Sequence, residues 1–330
     1  MFDLITKADD IVDDPAKRLN KLLDEQDERI ANIFRASISS LKNELDLDEL
    51  ADLIEQGRIN QALDRLVYAA EQLGAASNVA FVQSGQSTAE FLRDAGVGRI
   101  VFDQVNIYAV SAMQATRLEL IREFTAEQLQ ATSRALVSGV ESGTNPIAAA
   151  RNFRDSIGLT SHQWDDVARY RAILESVGTS DQEAEAKLTR ALSDGRSDRS
   201  VLAAARANRK IPKETIDLAV SRYSDRKIKH RAEVIGRTEA LRAVNQGNEE
   251  AYRQAIAAGT IRAEQLSREW RTRLDNRERR THRFLNGVTV GWGESWVTEN
   301  GEIKYPGDPD APAAETIQCR CAILTRIKQR

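Results

Sequence analysis

Residues 212–259 read PKETIDLAVSRYSDRKIKHRAEVIGRTEALRAVNQGNEEAYRQAIAAG, and no proline interrupts them after Pro212. Pro212 suits a helix start, because the missing proline N–H costs nothing in a first turn. Gly236 and Gly247 each weaken a helix by roughly 1 kcal/mol relative to alanine. Gly259 is placed to end one. The stretch predicts one long helix, kinked or as two helices in line, that stops near Gly259. His230 lies among lysines and arginines and reads as a surface residue.

Upstream the same periodicity recurs. In residues 28–45, ERIANIFRASISSLKNEL, Ile30, Ile33, Phe34, Ile38, Leu41 and Leu45 repeat at steps of three and four. That is one apolar stripe along an amphipathic helix. Residues 59–73, INQALDRLVYAAEQL, repeat the signal. Gly143 and Pro146 break the pattern. Beyond them Thr160 reads as an N-cap, with Gln163 completing a capping box. Trp164 is expected to pack that helix against its neighbours, and His162 to face solvent.

Downstream of Gly259 the texture changes. Glycines and three of the four tryptophans crowd into the remaining residues. WVTENGEIKY (296–305) predicts a hairpin turning at Asn300-Gly301 through a type I′ turn. Trp296 and Thr298 share one face of it, and Ile303 and Tyr305 line one face of the return strand. YPGDPDAP (305–312) is a proline-rich loop that cannot be helical. CRCAILTRI (319–327) reads as a final strand. The fold class is therefore mainly α: an elongated helical body closed by a small C-terminal α+β unit. Residues 1–135 form an N-terminal helical region and 136–225 a middle helical region. Residues 226–330 form the C-terminal domain.

Composition bounds the rest. Of 330 residues, 41% are apolar and 29% charged, with few aromatics. The first residues lack the basic and apolar segments of a signal peptide. No apolar run is long enough to span a bilayer. Residues 1–60 carry 8 basic and 15 acidic side chains, a balance of −7. Residues 222–285 carry 16 basic and 9 acidic, a balance of +7. That asymmetry points to an anionic or nucleic-acid partner for the second half, or to a solvated arginine-rich helix surface.

Cys319 and Cys321 are the two cysteines of the chain, one residue apart. Thiolates are soft ligands for zinc, imidazole is a common companion, and a carboxylate can complete a tetrahedron. Cys319, Cys321, His282 and Asp275 would make such a site. Asp275 and His282 are seven residues apart, which on one straight helix means about 10 Å along the axis. Joint ligation therefore requires the helix to end between them. The alternative is that no metal binds, with Asp275 on an arginine, His282 in a small core and the cysteines as buried thiols. GxSxG, P-loop, HExxH and GxGxxG motifs are absent from the sequence.

Three segments together resemble a known family: RAEVIGRTEALRAVNQGNEEAY (231–252), WRTRLDNRERRTHRFLNG (270–287) and YPGDPDAPAAETIQCRC (305–321). Their order is similar to that of the phage Mu F-like head morphogenesis domain. The motif positions are Arg237, Thr238 and Glu239, then Trp270, then Asp275, Arg277, Arg279 and His282. Asn286 and Gly287, the prolines 306, 309 and 312, and Cys319, Arg320 and Cys321 follow. One departure is Gly236, where alanine is usual. The resemblance covers about residues 226–325, and the preceding helical segment looks like that of some members.

The resemblance implies a non-catalytic minor head protein of a tailed phage or prophage. It would associate with the portal protein, with major capsid or scaffold protein as further partners. It would act in head assembly and DNA packaging or delivery. It implies residence in the virion, inside the head or near the portal, after assembly in the host cytoplasm, with no membrane involved. It also strengthens the expectation of a structural zinc. Arg271, Arg273, Arg279, Arg280 and Arg283 are the candidates for non-specific contact with double-stranded DNA. The alternative is a DNA-binding or toxin-like enzyme centred on the Asp/His/Cys cluster.

Overall fold

A computed structural model of the protein describes residues 15–56, 58, 60–141, 146–178, 188, 198–273 and 277–328. The fold is mainly α, with a few antiparallel strands near the C-terminus. The helices are α1 (Pro15–Glu44), α2 (Leu47–Glu55), α3 (Asn60–Asp94), α4 (Ile107–Glu141), α5 (Pro146–Ser156), α6 (Ser161–Ser176), α7 (Asp198–Arg206) and α8 (Lys213–Ala257). After them come β1 (Leu266–Arg271), α9 (Arg280–Leu285), β2 (Thr289–Gly291), β3 (Trp296–Thr298), β4 (Gly301–Ile303), α10 (Ala313–Thr316) and β5 (Ala322–Ile327). Among the described residues no helix is long and apolar enough to cross a membrane.

The long helix reads as the sequence predicts. α8 starts directly after Pro212 and runs for 45 residues. Its end is a Schellman motif. Gly259 takes a φ of +70°, its N–H donates to Ile256 O (2.9 Å), and Thr260 N–H donates to Ala255 O (3.0 Å). Only glycine adopts that φ without strain, so the helix stops there.

Two compact units result, and neither is one continuous stretch. The first takes the described residues within Met1–Phe34, Gln72–Leu120 and Glu233–Arg330; the second takes Arg35–Glu71 and Ile121–Ala232. In the second, α2 packs on α5. Phe153, Trp164, Val167, Tyr170, Leu174 and Tyr223 are buried there. The Thr160–Gln163 capping box forms as expected, with both bonds present (3.3 and 3.1 Å). His162 and His230 are exposed.

In the first unit, α8 lies close against α1 and α3. A Cβ at Gly236 would come within 2.5 Å of Asp27 O, and one at Gly247 within 2.1 Å of Phe81 O. The two glycines that weaken α8 locally are thus what lets neighbouring backbones approach. At Gly236 the usual alanine of the resembled family would not fit. Ser84 Oγ donates to Val244 O (2.6 Å) at the same close crossing.

The sheet has the order β2-β1-β5, antiparallel throughout. β1 is the central strand, and Leu266, Arg268 and Trp270 face inward. The hairpin forms one residue away from the expected position. Thr298 pairs with Gly301, so Glu299 and Asn300 are the turn residues. Neither has the positive φ that a type I′ turn requires. Instead the Thr298 hydroxyl accepts from Asn300 N–H (3.2 Å) and lies 3.0 Å from Gly301 O. The cysteine pair also differs from expectation: Cys319 and Cys321 lie in the segment ahead of β5 rather than in the strand.

Candidate metal centre

The first unit gathers its chemistry where α9 meets the segment before β5. α9 is amphipathic over less than two turns, and buries His282 and Leu285. The His282 ring meets Trp270 edge-on, centroids 5.1 Å apart, and Trp270 meets Trp296 in the same way at 5.3 Å. Trp270 is fixed by its backbone. Its N–H donates to Val288 O (3.0 Å), and its carbonyl accepts from Gly287 N–H (2.8 Å). Gly287 has a φ of +83°, which explains a glycine at that motif position.

His282 Nδ1 stands 3.4 Å from Cys319 Sγ and 3.5 Å from Cys321 Sγ. The Cys321 N–H donates to Cys319 Sγ (3.4 Å), so the pair is folded onto itself by its own backbone. The three side chains are buried, with 1–3% exposure. Their donor atoms lie within 4.8 Å of one another. A tetrahedral ion with Zn–S of about 2.3 Å and Zn–N of about 2.05 Å sets its sulfur and nitrogen ligands roughly 3.5 Å apart. The observed spacing fits. His282, Cys319 and Cys321 can therefore hold a metal ion. Asp275, the fourth ligand expected from the sequence, lies outside the described residues.

The other ring nitrogen has a partner that sequence reading missed. His282 Nε2 stands 2.9 Å from Glu315 Oε2. Glu315 is 1% exposed and accepts hydrogen bonds from Thr281 Oγ1 (2.9 Å), Thr298 Oγ1 (3.0 Å) and Asn300 Nδ2 (2.7 Å). Burial alone would raise its carboxyl, but the Asn300, Thr281 and Thr298 hydrogen bonds outweigh it and hold it below the ordinary value. The carboxylate lies at ion-pair distance from Nε2 but out of line with a ring N–H, so a small rotation of the imidazole would complete the carboxylate–histidine pairing that supports a metal-bound histidine. The Cys319 thiol is held well below its ordinary value by the neighbouring Cys321 thiol, against burial and with help from His282. Cys321 is correspondingly pushed up. One of the two sulfurs is thus poised as a thiolate.

The Arg-Thr-Glu motif of α8 reaches the same place. Thr238 Oγ1 donates to Val234 O (2.8 Å) and accepts from Gln318 N–H (3.1 Å). Gln318 precedes Cys319 and has a φ of +57°. Arg237 pairs with Asp27 (2.9 Å), and Glu239 lies 3.6 Å from Arg242. Arg279 donates to Ile317 O. Arg277 and Arg320 line a depression over the Cys/His cluster, with Arg273 and Arg279 beside them.

Most of the arginines considered for DNA contact are already engaged. Arg271 pairs with Glu269 (2.8 Å), Arg273 with Asp24 (2.7 Å) and Arg283 with Glu278 (3.1 Å), while Arg279 holds the Ile317 carbonyl. Arg280 sits over the Phe284 ring, 5.8 Å from its centroid.

Comparison with the curated proteins gives no match, and comparison with the solved structures gives none. Among protein families, one described as Phage Mu protein F like protein matches residues 130–324, which include α8, both motif segments and the Cys319/Cys321/His282 cluster. The match takes in more than half of the chain, and the protein belongs to the Phage Mu protein F like family.

Proposed function

We propose that this protein is a minor head protein of a tailed phage or prophage. It acts in head assembly and in DNA packaging or delivery by binding rather than by catalysis. It associates with the portal protein, and with capsid or scaffold protein during assembly, and resides in the virion. The observation that supports a structural role is the closure of the Cys319/Cys321/His282 cluster. Its side chains are 1–3% exposed, and the three motif segments converge on it from α8, α9 and the chain before β5. Trp270 and Glu315 pack against the cluster, and the depression beside it holds only about 20 Å³, room for a water rather than a substrate.

In this reading the ion is zinc, a fastening that ties α9 to the segment before β5 at the edge of the first unit's core. Non-specific DNA contact falls mainly to Arg280, the arginine of the five whose guanidinium has no anionic or carbonyl partner among the described residues.

The test is biochemical. The portal protein should co-purify with this chain, and the chain should be present in purified procapsids and virions. Its absence from both particles overturns the assignment.

A further inference from the structure

Glu278 stands directly before Arg279, the residue at the cap position of α9. Its side chain is only 7% exposed. One carboxylate oxygen, Oε1, accepts from Arg283 Nε at 3.1 Å. The other, Oε2, is buried and has no hydrogen-bond partner among the described residues. Leaving a buried acceptor unmet costs about 1–3 kcal/mol, and more for a charged group. Such an atom in a native fold calls for an explanation, and a water or an ion that completes it is the ordinary one.

The surroundings favour the ion. Glu278 lines the same depression of about 20 Å³ as His282, Cys319 and Cys321. That space is about the size of a single water or ion. The three neighbours already offer one nitrogen and two sulfurs at the spacing of a tetrahedral zinc, and a tetrahedral zinc takes four donors. Among the described residues Glu278 is the one carboxylate that lines the depression. Glu315 lies at the other ring nitrogen of His282 and is held there by Thr281, Thr298 and Asn300. Two thiolates and a carboxylate around a divalent cation leave excess negative charge. Arg277, Arg279 and Arg320 line the same depression and offset it.

The Glu278 carboxylate is not within 4.8 Å of all three donor atoms, so its side chain must turn to reach the ion. Little opposes that turn. Arg283 is 59% exposed, and an ion pair to an exposed arginine is worth about 0–1 kcal/mol.

We infer that Glu278 is the fourth ligand of the metal centre, in the place for which the sequence suggests Asp275. It completes a set of two sulfurs, one nitrogen and one oxygen with Cys319, Cys321 and His282. The inference rests on the zinc reading above. It also deepens that reading: four protein ligands leave no open position on the ion, which is the condition of a structural rather than a catalytic zinc.

The test uses the full chain, loaded with zinc for affinity and with cobalt(II) for its visible d–d bands, which report the donor set. Glu278→Gln keeps the shape of the side chain and should keep the wild-type far-ultraviolet circular dichroism. It should weaken zinc binding by more than the 10- to 100-fold that loss of an outer-shell partner costs, and should shift the cobalt bands. Asp275→Asn should match the wild type in both readouts. Arg283→Ala should keep the wild-type bands and bind zinc at least as tightly, because it frees the carboxylate. Wild-type affinity and bands in Glu278→Gln, with binding abolished by Cys319→Ser, overturn the ligand assignment and leave the zinc reading standing. Bands that shift in Asp275→Asn but not in Glu278→Gln give the place to Asp275 and overturn it as well. So does an Arg283→Ala variant that weakens binding as much as Glu278→Gln does, since Glu278 would then act through its ion pair. A wild type that binds neither metal overturns the zinc reading and this assignment together.

Discussion

Thr238 Oγ1 accepts a hydrogen bond from the N–H of Gln318 at 3.1 Å, and so fastens α8 to the residue directly ahead of Cys319. Gln318 is one of two non-glycine residues with positive φ among those described. A residue held in that region persists only when its surroundings determine it. Thr238→Val keeps the shape of the side chain and removes the acceptor. It should cost about 1 kcal/mol of stability. It should also weaken metal binding about tenfold, as loss of an outer-shell support does. Competition against a chromophoric chelator reads the affinity, and an unchanged affinity would mean that the turn before Cys319 holds itself.

Metal content is the most direct check of the centre. The protein as purified should carry about one zinc per chain, and a chelator should lower its melting temperature. The Cys319→Ser, Cys321→Ser double variant should carry none and should not respond to the chelator. A wild type that is metal-free and melts identically with and without chelator would leave the cluster as a packed thiol core.

Glu315→Gln tests the carboxylate. It should reduce metal affinity by 10- to 100-fold while the unit stays folded. The pH dependence of the metal-free protein follows from the direction of its shift. The folded carboxyl lies below its ordinary value of 4.5. Its stabilisation is therefore fully present above about pH 4.5 and is lost as pH falls through the folded value. Chelator-treated wild type should lose stability more steeply below pH 4.5 than chelator-treated Glu315→Gln. Parallel acid limbs would show that Glu315 is not held by its neighbours.

Gly247→Ala separates local preference from packing. Helix propensity alone would make it stabilising by about 1 kcal/mol. The new Cβ would stand 2.1 Å from Phe81 O, which is backbone and cannot rotate away. The variant should therefore lose at least 1–3 kcal/mol in chemical denaturation.

Arg268 is 2% exposed and is held by Glu249 (3.0 Å), Lys304 O (3.1 Å) and Glu294 O. Burial raises the Glu249 carboxyl, against the pull of Arg268. Arg268→Met would leave Glu249 without its cation and should cost about 3–5 kcal/mol. Loss of the Trp270 and Trp296 fluorescence environment would report it.

The same arginine explains what sequence reading could and could not find. β1 went unrecognised because its inward positions are Leu266, Arg268 and Trp270, and an arginine at the centre breaks the apolar alternation by which strands are known. α8 was readable because its start and stop are local: Pro212 and Gly259 act through their own backbones. Cys319, Cys321 and His282 were singled out by residue type. Glu315 stands in the same short segment as the cysteines, but nothing local marks it, because its four partners come from α9, β3 and the turn after β3. The hairpin turn was misplaced for a related reason. Asn300 Nδ2 is drawn to Glu315, and the Thr298 hydroxyl sets the turn one residue earlier than the Asn-Gly pair would on its own.

His282 and Cys319 are 37 positions apart along the chain. An ion joining them acts as a crosslink around everything between, namely β2, the hairpin, the proline-rich loop and α10. In the chain-entropy treatment of crosslinks, tying off a loop of that length disfavours the unfolded ensemble by about 4 kcal/mol. Much of the ion's effect would then be felt by the disordered chain rather than by any contact in the folded one. Losing it would set that whole stretch free together.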